Sequence, residues 1–163
     1  MKANNQIRLV KMGYIMTLVA VFLFAFKDAV RGFEDGYSEG GKGGLFGLFA
    51  GIFILLITFF GIRILVYLYR FIDSVEAGDV FSNENAERLK RMGWYCTFIP
   101  FALFFFNALE YADQSGNHKN LTLSIIENVD FQIWLLIFGL TLLTIAFVFK
   151  KGIELKKESD LTI

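Results

Sequence analysis

Residues 131–149 read FQIWLLIFGLTLLTIAFVF, nineteen positions without a charge, followed at once by Lys150 and Lys151. The hydrocarbon core of a bilayer asks for about 20 predominantly apolar residues of helix, within a range of roughly 17 to 25. This stretch meets that length, so it reads as a membrane-spanning helix, and the search moves outward for others.

Leu45 to Ile62 and Met92 to Leu109 are also free of charge, and Met12 to Phe26 forms a shorter run. Ile7, Leu9 and Val10 extend the short run, while Arg8 and Lys11 can bury their stems and send their charges to the headgroups. The second run continues beyond Arg63 through ILVYLY to Tyr69, long enough to tilt or project. Four spans result, at about 7–26, 45–69, 92–109 and 131–149. A cleaved leader would suit the first run, but no small-x-small site precedes Lys27, so a retained helix is expected.

The composition agrees. With 55% hydrophobic residues, twenty phenylalanines and one proline in 163 residues, the chain is too apolar for an ordinary soluble domain of this size. The expected fold is all-α: a single transmembrane domain over 1–163, an integral membrane four-helix bundle with a structured loop at 70–91 and a tail at 150–163.

Basic residues set the orientation. Lys2, Arg8, Lys11, Arg70, Arg88, Lys90, Arg91, Lys150, Lys151, Lys156 and Lys157 fall on one side, and only Lys27, Arg31, Lys42 and Lys119 on the other. By the positive-inside rule both termini and the central loop are expected in the cytoplasm. The zero net charge conceals this asymmetry and gives no reason to expect direct nucleic-acid binding.

Catalytic signatures are missing from the spans. Arg63 is the one charge well inside them, expected to snorkel or to pair with an acid such as Asp73 or Glu76. No buried acid or histidine is placed to relay a proton, no histidine pair to hold haem, and the lone Cys96 has no partner for a disulfide. We therefore expect no enzyme activity, no catalytic residues, no cofactor and no metal. The GGKGG of the first outer loop lacks the serine or threonine of a phosphate loop. His118 reads as a solvated residue, Asn120 opens a formal glycosylation sequon, and LTLSII at 121–126 reads as a short turn or strand.

Gly43, Gly47 and Gly51 recur every fourth residue and so share a helix face. That pattern suits close packing inside the bundle, with a homodimer seam, and hence a homo-oligomer, as the sharper alternative. Pro100 should kink the third span.

The polar segments are more specific. In 70–91, Gly78 is a natural helix stop, and Ser82 or Asn83 caps a new helix with Glu84 and Glu87 in its opening turns. Phe81 is expected to be buried against that cap. At the carboxyl end, IEL and LTI each place apolar residues two apart, the period of an extended strand, so Leu161 and Ile163 are expected to dock near Phe81 or on a partner.

The motifs AGDVFSNENAERLKRMG (77–93) and GIELKKESDLTI (152–163), together with the four spans, resemble the bacterial membrane proteins grouped as domain of unknown function 2975 (DUF2975). Gly78, Val80, Phe81, Ser82, Asn85 and Leu89 match the loop pattern. Gly152, Leu155, Glu158, Asp160, Leu161, Thr162 and Ile163 match the terminal one. The resemblance implies no established activity, but it does imply a frequent genetic neighbour, a small helix-turn-helix regulator of the Cro repressor type. On that basis the candidate interaction surface comprises Gly78, Asp79, Phe81, Ser82, Asn85, Arg88, Leu89, Glu158, Asp160, Leu161, Thr162 and Ile163. The expected function is a non-enzymatic binding or regulatory module of the membrane. The alternative is a small transporter or immunity-type protein that handles a hydrophobic or peptidic molecule in a phenylalanine-lined pocket near Pro100.

Overall fold

The structure is a computed structural model that describes residues 2–38, 44–115 and 121–161. It is all-helical: α1 (Lys2–Ser38), α2 (Gly44–Glu76), α3 (Asn83–Ser115), α4 (Leu121–Asn128) and α5 (Ile133–Leu161). Four of these helices are long and apolar enough to cross a membrane, over Asn5–Phe24, Gly51–Glu76, Asn83–Ala112 and Ile133–Ser159.

The helices outrun the apolar stretches that define them. At 1.5 Å per residue the 33 residues of α2 and of α3 extend about 50 Å. A hydrocarbon core is only about 30 Å thick, so roughly four turns of each must tilt or project. In both helices much of that excess lies toward the α2–α3 turn, and it carries most of the charges there.

Packing is uneven. Helix α3 is the hub, in contact with α2, α4 and α5, whereas α1 touches only α2 among the described residues. The long helices therefore stand as a row, α1, α2, α3, α5, an open form of the four-helix bundle expected from sequence. Tyr67, Leu89, Met92 and Ala146 form the buried cluster, with Phe71, Tyr95 and Phe149 against it. No residue of the apolar window of α1 is buried, so most of its surface faces whatever surrounds the protein.

The seam between α3 and α5 is the tightest. A Cβ added to Gly139 would lie 2.6 Å from Thr97 Oγ1 and 2.7 Å from the Thr97 backbone nitrogen. One on Gly93 would lie 2.8 Å from Leu143 Cγ and 2.9 Å from its nitrogen. These two glycines let the backbones approach, the role expected of Gly43, Gly47 and Gly51. A Cβ on Gly51 would meet nothing within 4 Å, so that position is not a close contact. Gly47 lies in α2, and Gly43 lies outside the described residues.

Several loop expectations change. Helix α1 continues to Ser38, beyond the expected end near Phe26, so the first outer connection begins as helix. The LTLSII segment forms neither turn nor strand but most of α4, whose Asn128 donates to the Tyr111 hydroxyl at 3.3 Å. His118 and Asn120 lie outside the described residues. Helix α3 runs unbroken through Pro100, whose ring is fully buried.

The largest revision concerns the tail. Helix α5 passes through Gly152 and continues to Leu161, so 152–161 is helix and not extended chain. A strand with one buried face would bury Ile153 and Leu155 together, but Ile153 is 6% exposed and Leu155 64%. Lys151 also reaches Glu154 at 2.7 Å, a one-turn ion pair that spans the glycine. Thr162 and Ile163, and with them the expected docking of the last residues on Phe81, lie outside the described residues.

Candidate interaction surface at the polar end of the bundle

Helix α2 stops where the sequence predicts. Gly78 has φ +89°, the left-handed conformation that glycine adopts without strain, and it follows the last residue of α2 by two positions. The Ala77 and Gly78 amides still reach back to the carbonyls of Asp73 and Val75 at 3.0 and 3.1 Å. Four residues later the Ser82 hydroxyl accepts from the Asn85 amide at 3.3 Å, the N-cap bond that starts α3.

Asn85 fixes the turn between these two ends. It is 0% exposed, and its Nδ2 donates to Asp79 O at 2.7 Å, Val80 O at 3.1 Å and Ser74 Oγ at 3.1 Å. Its Oδ1 accepts from Arg88 Nη1 at 2.8 Å. Ser74 in turn donates to Asp79 O at 3.0 Å. One buried amide thus holds two carbonyls of the turn, the end of α2 and the first turns of α3 in a single network, which a turn left to solvent could not do.

Arg88 extends the network. It donates to Arg70 O at 3.1 Å and pairs with Glu84 at 3.0 Å, tying the two helices once more. Leu89, 5% exposed, anchors the same face in the core. Phe81 behaves differently from expectation: it is 59% exposed, its ring leaning on Phe149 at 5.2 Å between centroids. It lies between the end of α2 and the cap of α3, where a single aromatic neighbour covers one side only. Gly78, Asp79, Phe81, Ser82, Asn85, Arg88 and Leu89 are therefore gathered at one corner. Glu158, Asp160 and Leu161 lie on the last turns of α5, which continue past that corner.

Two groups at this end escaped the sequence reading. Lys11 Nζ lies 2.6 Å from Asp73 Oδ1 and 2.7 Å from Glu76 Oε2, and Arg8 adds a 3.3 Å contact to Glu76. Asp73 and Glu76, the alternative to snorkelling for Arg63, hold α1 to α2. Tyr14, one turn along α1, donates to Leu65 O at 2.7 Å. A Lys11→Met substitution should release this end of α1 while leaving the corner intact. Disulfide trapping between cysteines placed at 14 and 65 is expected to slow several-fold, in line with the roughly 1 kcal/mol of a partly exposed ion-pair cluster; an unchanged rate would show that the ions do not hold the helix.

Arg63 has found an aromatic setting. Its guanidinium donates to the Tyr67 hydroxyl and sits 4.9 Å from the Tyr67 ring centroid and 6.0 Å from that of Phe59. Arg91 Nη1 donates to the same hydroxyl at 3.1 Å. The phenol oxygen thus serves two cations, and Tyr67, 7% exposed, stacks on Tyr95 as well. Neither snorkelling nor an acid is needed to explain a charge placed this way.

At the far end of the bundle Asn107 lines a cavity of about 340 Å³ with Glu110, Tyr111, Asp130 and Gln132. Near Pro100, Phe101 and Phe104 close on Phe131, with ring centroids 5.4 and 6.0 Å apart.

Four apolar helices and a hydrogen-bonded polar corner define a small multi-span helical membrane protein. The chain belongs to the family described as Protein of unknown function (DUF2975), whose profile matches residues 15–163 and so includes both the corner and the end of α5. No curated protein and no solved structure matches it.

Proposed function

We propose that this chain is a non-enzymatic membrane-anchored docking protein of the bacterial inner membrane, with both termini in the cytoplasm. The long helices hold it in the bilayer. The α2–α3 corner and the end of α5 present a surface to a soluble protein, and the family resemblance makes a small helix-turn-helix regulator the expected partner. The observation that carries the reading is the pairing of a half-open Phe81 with a backbone fixed by the fully buried Asn85. An aromatic side chain on a preorganised turn costs little ordering when it is covered, and such side chains dominate binding energy at interfaces. The excess of basic residues at this end favours the orientation, since positively charged loops stay on the cytoplasmic side.

The test is co-purification in mild detergent with a small helix-turn-helix regulator from the same genetic neighbourhood, which the proposal requires to exist. Phe81→Ala is expected to lower recovery by about tenfold, the effect of losing an aromatic anchor, with helicity and gel-filtration behaviour unchanged. Deletion of 161–163 should reduce recovery further. If both variants recover the regulator as well as the unaltered protein does, the corner is a packing device and the proposal fails. The transporter or immunity reading draws no specific support, because the phenylalanines near Pro100 close on one another.

A further inference from the structure

The groove between α3 and α5 continues the glycine seam toward the polar end, and there it widens. Gly93 faces Leu143, and one and two turns further along a cavity of about 500 Å³ opens. Its apolar lining comprises the exposed Trp94 and Phe147, Leu143, and the buried Ala86 and Ala146. Its outer rim carries Lys90 and Lys150.

Three features identify what fits. Every lining residue comes from α3 or α5 and none from α1 or α2, so the groove opens sideways, toward the surroundings of the helix row. The uncharged runs end at Phe149 on α5 and begin at Met92 on α3, so the two lysines stand where hydrocarbon gives way to headgroups. Glu87 also lines the groove, but Arg91 holds it at 3.1 Å, while Lys90 stands 3.9 Å from it, beyond hydrogen-bond distance, and keeps its donors for a second anion. The amino-terminal end of α3 at Asn83 adds partial positive charge to the same rim.

We infer that this groove is a binding site for one anionic phospholipid, its phosphate between Lys90 and Lys150 and an acyl chain along Trp94, Leu143 and Phe147. Basic pockets between spanning helices at a membrane surface select acidic headgroups in this way. A zwitterionic lipid would place a choline or ethanolamine cation beside the two lysines and lose the advantage. The site is separate from the Phe81 corner, and it requires only that these helices lie in a bilayer. Its failure would leave the docking proposal standing, and the reverse also holds.

The two tryptophans allow a direct test, because Trp94 lines the groove and Trp134 stands 80% exposed near the start of α5, at the opposite end. The full-length Trp134→Phe protein, with Trp94 as its one indole, is placed in phosphatidylcholine vesicles. Brominated phosphatidylglycerol or brominated phosphatidylcholine is then titrated in. Each of the two lysines near a charged surface contributes roughly fivefold, so half-maximal quenching is expected at about a twenty-five-fold lower mole fraction of the anionic lipid. Lys90→Gln with Lys150→Gln should bring the two curves together. The reciprocal Trp94→Phe protein reports on Trp134 and should show no preference. Superimposable curves for Trp94 would overturn the site, as would a preference that survives loss of both lysines or appears equally at Trp134. Should the double variant fail to fold, the two single-tryptophan proteins still decide the matter.

Discussion

Asn85→Leu is expected to destabilise the protein by about 3 kcal/mol, at least as much as Asn85→Ala, although leucine has the same branched outline and slightly overfills the site. The reasoning rests on what the amide leaves behind. Val80 O and Ser74 Oγ lose a donor at 3.1 Å each, and Asp79 O loses its shortest contact, 2.7 Å. Arg88 loses the oxygen that holds it at 2.8 Å. A leucine in that position keeps these groups from water while offering them nothing, and each unpaired buried group costs about 1–3 kcal/mol. Unfolding by titration with denaturing detergent measures the loss. A leucine variant as stable as the parent would mean that water reaches the turn and that Asn85 is not its organiser.

Gly139→Ala should cost about 1–3 kcal/mol, the range for an extra carbon forced into a packed interior. The contact is with Thr97 Oγ1 and the Thr97 and Cys96 backbone, so no flexible side-chain tip can give way; the helices themselves must part. Gly93→Ala meets Leu143 in both side chain and backbone and should behave similarly. Because one displacement of α5 relieves both clashes, the double variant is expected to cost clearly less than the two single losses together. Gly51→Ala supplies the contrast. With open space around that position, it should gain up to about 1 kcal/mol from helix propensity. A destabilised Gly51 variant beside a neutral Gly139 variant would reverse the assignment of the close seam.

Existence of the long helices was legible because a bilayer imposes a length, and uncharged runs of eighteen or nineteen residues leave few alternatives. Gly78 and Ser82 were legible for a related reason: stopping and capping a helix are local tasks with few residue solutions. The strand reading of 152–161 failed because apolar residues two apart also fit a helix when only one of them is buried, and Gly152 does not end a helix whose next residue, Ile153, is packed. The tight glycines Gly93 and Gly139 escaped notice for want of a visible partner. Three glycines at fourfold spacing make a conspicuous pattern, but Gly93 and Gly139 sit on different helices, and nothing in either span says that they face one seam. The Lys11, Asp73 and Glu76 cluster joins residues more than sixty positions apart, beyond the reach of any local pattern. Its signal was faint but present, as two acids at 73 and 76 follow a span whose neighbour begins with Arg8 and Lys11. Phe81 was expected to be buried against the cap it precedes, but among the described residues its ring contact is with Phe149 of a distant helix, which leaves it exposed.

The place of α3 in the row bears on how the protein is made. A chain synthesised from its amino end releases α1 and α2 into the membrane first, and these share only one narrow contact, secured at one end by the Lys11 ions and the Tyr14 bond. Most of the packing surface for α2 belongs to a helix that has not yet left the ribosome, and the tightest seam waits for α5, which comes last. Until then the early helices must be kept apart from other unfinished chains by lipid and by the insertion machinery. The two long helices that contribute most to cohesion, α3 and α5, are thus the last to be made, and the second half of translation determines whether the first half was worth inserting.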